Sequence, residues 1–105
     1  MNNKDKIEEA LKNARLNHIV IYDLKDKSPL FDFVFVATAS SMRHLEASKK
    51  YIDEIDLAYD HVEGLGSSWI LFDFNDFIVH IMTEESRKLF GIDDILMPYK
   101  KEEID

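Results

Sequence analysis

The chain contains no cysteine, which removes disulfides, thiolate metal sites and a cysteine nucleophile from consideration. It has only three glycines and two prolines, so little of the chain is marked as turn by these residues. No apolar run approaches the ~20 residues that a membrane helix requires. The opening stretch MNNKDKIEEALKNARL lacks the apolar centre of a secretory signal. A cytoplasmic protein without membrane contact is expected. Positive charge is also scarce: 13 Lys and Arg stand against 21 Asp and Glu, a formal net charge of −8. Binding through phosphates needs clustered basic residues, so nucleic acid is not expected as the main contact. A basic protein partner would be favoured on encounter, although the same charge also serves solubility.

What is present fits one globular domain over residues 1–105, with an ordered core over 4–97. The chain is 46% hydrophobic and 32% charged, ordinary values for a compact fold of this size. Ile7, Ala10, Leu11 and Ala14 follow helical spacing and predict a helix over 4–16. HIVIYDL at 18–24 is β-branched and aromatic, hence a strand. Pro29 marks the following loop. DFVFVAT at 32–38 is apolar at nearly every position, as in a central strand covered on both faces. Ser40 and Ser41 are good caps for a helix whose Leu45, Ser48, Ile52 and Ile55 share a stripe. AYDHV at 58–62 is a short strand, GLGSS a turn, and 69–73 with 76–82 a hairpin. Thr83 caps a last helix through Phe90, with Glu84 and Glu85 in its first turn and Gly91 at its end. The polar YKKEEID is expected to fray. The order α-β-β-α-β-β-β-α predicts an α/β sandwich of two or three layers around a mixed five-stranded sheet.

The hairpin carries the candidate site. With Phe74 and Asn75 as a two-residue turn, Asp73 faces Asp76, Phe72 faces Phe77, Leu71 faces Ile78, Ile70 faces Val79 and Trp69 faces His80. Side chains alternate across a strand. Ile70, Phe72, Phe77, Val79 and Ile81 then form a core face. Trp69, Leu71, Asp73, Asp76, Ile78, His80 and Met82 form the other. Such a mixture of aromatic, aliphatic and Met residues with a few polar groups suits a protein-binding patch, with Phe74 and Asn75 at its tip. The plainer alternative is that the closing helix covers Leu71 and Ile78. The register decides, because a slip of one residue exchanges the faces.

These residues carry a resemblance. VEGLGSSWILFDFNDFIVHIMTEESRKLF is similar to the ribosomal silencing factor family (RsfS, or Iojap), whose pattern is matched at Glu63, Gly64, Trp69, Asp73, Asp76, Val79 and His80. FDFVFVATASSMRHLEA matches a second family segment at Asp32, Thr38, Ser40, Ser41, Arg43 and His44. The likeness spans residues 5–96. It departs at Asn75, where the family usually has Gly; Asn is the best substitute at a positive-φ turn position. It departs again at Met97, where an aromatic often follows the leucine. The resemblance implies a nucleotidyltransferase-like fold without transferase activity or cofactor. It implies binding to the large ribosomal subunit through its ribosomal protein fourteen, a block on joining of the small subunit, and lowered translation when nutrients are scarce. A homodimer is compatible with it.

Three rival readings remain. A nucleotide-binding or nucleotidyltransferase-like enzyme would use Asp73 and Asp76, but these are three apart and straddle a turn, and Gly66-Ser67 precedes a strand rather than a helix. A metal held by Asp73, Asp76 and His80 would need to span ~13 Å along the strand, which is too far. Ser40-Ser41-Met42-Arg43-His44 could hold an anion at a helix start, making Arg43 and His44 accessory contacts; ordinary capping, with Arg43 paired to a carboxylate, is the plainer alternative.

Overall fold

The computed structural model describes residues 1–104. Six strands form one mixed sheet: β1 Asn17–Asp23, β2 Phe33–Ala39, β3 His61–Glu63, β4 Trp69–Asp73, β5 Phe77–Thr83 and β6 Lys100–Glu103. Their spatial order is β3-β4-β5-β2-β1-β6. Only the central β2–β5 pair is parallel. Helices α1 Asn3–Asn13 and α2 Met42–Asp53 cover one face; α3 Glu84–Phe90 and α4 Ile92–Ile95 cover the other. The sandwich therefore has three layers, with a core on each side of the sheet.

Two elements were not expected. The four-residue α4 follows Gly91, whose φ of +61° ends α3 and turns the chain. The polar tail does not fray: Lys100–Glu103 pairs antiparallel with β1 and makes a sixth strand. All four of its side chains are exposed, so hydropathy carries no signal there. The strand is held by backbone pairing at the edge and by Ile104, which packs onto the α1/α2 core. Asp105, part of the tail expected to fray, lies outside the described residues.

Burial on both faces explains the apolar run of β2. Val34, Val36 and Tyr22 belong to the core under α3 and α4, whereas Phe35, Ala37, Ile19 and Ile21 belong to the core under α1 and α2. Ser41 caps α2 by accepting from the His44 N–H at 3.0 Å. The His44 ring accepts from Ser40 N–H through Nδ1 at 2.9 Å, which leaves Nε2 to donate to the Ala14 carbonyl at 2.7 Å. His44 thus ties the start of α2 to the end of α1. Arg43 is exposed and has no carboxylate partner among the described residues, unlike the pairing expected of it.

Candidate functional site

The hairpin register differs from the expected one by two residues. Trp69 pairs with Met82, Ile70 with Ile81, Leu71 with His80, Phe72 with Val79 and Asp73 with Ile78. The two-residue turn is Asn75-Asp76, closed by a Phe74 N–H donating to the Phe77 carbonyl at 2.8 Å. Asn75 has φ +78° and the Asp76 N–H donates to the Phe74 carbonyl at 3.1 Å, so the chain reverses tightly around Asn75. The Asp73 carboxylate accepts from Asn75 N–H at 2.8 Å and fixes this tip. A local hydrogen bond of this kind is favoured by Asx chemistry. It sets the turn one residue later than the Phe74-Asn75 reading. A shift of two leaves every side chain on its expected face.

The second face is nevertheless not a free surface. Ile78, Met82 and the neighbouring strand residues form the core beneath Ile92 and Leu96. Phe74 is buried on the opposite side, against Tyr59, in the α1/α2 core. Phe74, Ile78, His80 and Met82 are all buried, so as a presented contact surface these four are corrected. Asn75 and Asp76 are exposed at the tip, and Asp73 is half-buried. Neither aspartate lines the large cleft of about 1330 Å³ at the carboxyl ends of β2 and β5, where an α/β sheet offers a ligand its usual place.

Trp69 and Leu71 are half-buried at the margin of this second core. The Trp69 indole N–H donates to His80 Nδ1 at 2.9 Å. Its ring lies against Phe90, with centroids 5.0 Å apart. Burial of the imidazole pushes the His80 pKa down to about 4, so at neutral pH it is an uncharged acceptor. His80 therefore holds the indole in place. Phe90, which touches Trp69, is 50% exposed, and the α3/α4 layer also exposes Leu89 (75%), Ile95 (70%) and, just after α4, Met97 (73%). Four large apolar side chains on one layer, beside a half-buried Trp, are unusual for a solvent surface. The sequence reading missed Leu89, Phe90 and Ile95. A usable signal was there: the strongly apolar Leu-Phe pair ends a seven-residue helix whose core positions are the polar Ser86 and Arg87.

A buried polar network braces α3 and α4 behind the patch. Arg87 forks onto Asp93, Nε to Oδ2 at 2.8 Å and Nη2 to Oδ1 at 3.0 Å. Its Nη1 donates to the His18 carbonyl at 2.6 Å and to Thr38 Oγ1 at 2.9 Å. The Tyr22 hydroxyl donates to Asp93 at 2.6 Å. Arg87 holds the Asp93 carboxyl below its usual range, and burial with the Asp93 bond holds the Tyr22 phenol well above its own. The His18 carbonyl is offered to Arg87 by a bulge in β1, where His18 takes φ +48°.

A model of the family described as "Ribosomal silencing factor during starvation" (RsfS) matches residues 2–105. The chain is 24% identical over 98 residues to an Arabidopsis thaliana protein named "Protein Iojap-related, mitochondrial", covering 85% of this chain and 53% of that protein. The chain thus spans about half the length of that curated relative. A crystal structure of a Chromobacterium violaceum protein superposes with a TM-score of 0.80 at 25% identity, covering 91% of this chain and 87% of that one. A Bacillus halodurans structure superposes with a TM-score of 0.78 at 20% identity, covering 96% of both, and shows the shared fold. By its sequence, matched over residues 2–105, the chain belongs to the RsfS family of ribosomal silencing factors.

Proposed function

We propose that this protein acts in the cytoplasm as a silencing factor that binds the large ribosomal subunit through ribosomal protein fourteen, excludes the small subunit and lowers translation under nutrient limitation. The observation that carries this reading is the apolar exposure of the α3/α4 layer, with Leu89, Phe90, Ile95 and Met97 exposed and Phe90 lying against the half-buried Trp69 beside Leu71. Interface energy concentrates in buried aromatic anchors surrounded by contacts that exclude water. A Trp whose rotamer is already fixed by His80 and Phe90 loses little entropy on binding. The excess of carboxylates, 21 against 13 basic residues, would speed encounter with a basic ribosomal protein. The action is steric and requires no catalysis.

The test is binding of purified variants to isolated large subunits. Phe90→Ser removes an exposed anchor without opening the core, and is expected to weaken binding by about 2 kcal/mol, near thirtyfold. Unchanged affinity would place the contact elsewhere.

A further inference from the structure

We propose that a second site, on the opposite face and at the opposite end of the sheet from Trp69, binds a nucleotide unit: a base on the Phe33–Phe77 pair and its phosphate among the surrounding lysines. Phe33 and Phe77 are neighbours in the parallel register of β2 and β5. Their rings stack at 5.9 Å with planes 24° apart, and both are only partly buried. They form part of the lining of a cleft of about 680 Å³ between the sheet and the start of α1. Two aromatic rings side by side on adjacent central strands are a platform on which bases stack.

The charge around this cleft runs against the rest of the chain. Lys4, Lys25, Lys100 and Lys101 stand there against Asp23, Asp32 and Glu102, whereas the whole chain has 13 basic residues and 21 acidic ones. Elsewhere Lys6, Lys12, Lys49 and Lys88 are each paired with a carboxylate, whereas Lys27 and Lys50 have no ion pair among the described residues but are spread apart from one another in the chain. Here only Lys4 is paired, to Glu102 at 3.3 Å; Lys25, Lys100 and Lys101 have no ion pair among the described residues. The ammonium groups of Lys4 and Lys25 lie 5.3 and 4.9 Å from the Phe33 centroid. Both sit on flexible stems that can swing from the ring to a phosphate. A base would take the ring face they leave, so the exchange keeps the lysines compensated. An acidic chain that leaves three lysines unpaired around one aromatic floor is suited to a ligand that is both flat and anionic.

The experiment is a titration of the full chain with adenosine monophosphate, followed by backbone amide chemical shifts. Saturable shifts are expected at Phe33, Phe77, Lys25, Lys100 and Lys101. Lys25→Glu combined with Lys100→Glu, both on exposed side chains, is expected to weaken binding by at least about tenfold, and Phe33→Leu by about tenfold. Inorganic phosphate alone should bind more weakly than the nucleotide. A single-stranded oligoadenylate that binds tighter, with strong salt dependence, would identify a nucleic-acid strand as the source; equal binding would identify a free nucleotide. Absence of saturable shifts in the cleft, equal binding of phosphate alone, or wild-type affinity in the lysine double variant would overturn the proposal.

Discussion

The imidazole of His80 is kept neutral by burial, with a pKa lowered from 6.5 to about 4, and this has a consequence for acid stability. Below pH ~6.5 the unfolded chain takes up a proton at His80 that the folded chain refuses until pH ~4. Stability is therefore greatest above that window and declines as pH falls through it, by up to ~3 kcal/mol from this group. His80→Gln keeps an acceptor for the Trp69 indole and removes the titration. Chemical denaturation at pH 7 and pH 4.5 is expected to show a smaller loss for the variant than for wild type. An equal loss would mean that other groups set the acid limit. Trp69 is the only tryptophan, so its emission reports the patch directly. His80→Phe, which removes the acceptor, is expected to alter that emission and to weaken ribosome binding while the fold persists.

At the scale of elements, the loop before β4 and the network behind α3 hold the patch. Gly64 has φ +83°, and a Cβ there would lie 2.0 Å from the Trp69 carbonyl oxygen. Gly64→Ala is expected to cost about 2 kcal/mol or more through strain and clash, measured as a lower unfolding midpoint, and to displace Trp69. Arg87→Met would orphan the His18 carbonyl and Thr38 as well as Asp93. Asp93 is 37% exposed, so water compensates part of the loss; about 2–3 kcal/mol is expected, below the ~3–5 of a fully buried pair. These features also show what the sequence makes legible. Period-two alternation in the hairpin assigned its faces correctly, because parity survives a two-residue register error. It could not place the turn, which depends on the Asp73–Asn75 hydrogen bond. Nor could alternation show that α4 would follow Gly91 and cover Ile78 and Met82. Strand β6 was invisible because a fully exposed edge strand needs no apolar residue. Arg87 was invisible because its partners are 6 to 69 positions away.

For the whole molecule, the three layers separate two surfaces: the apolar rim of α3 and α4, and the lysine-ringed cleft beyond α1. Charge at the exposed hairpin tip acts at longer range. Asp76→Lys is expected to slow association with a basic partner at low salt while leaving the unfolding midpoint nearly unchanged; equal on-rates in stopped-flow mixing would exclude steering by the tip. The most direct measurement is sucrose-gradient co-sedimentation of the wild type and Phe90→Ser with separated ribosomal subunits. Wild type should travel with the large subunit alone and the variant should remain near the top. Failure of the wild type to co-sediment, or a variant that co-sediments equally well, would contradict the role assigned to the patch.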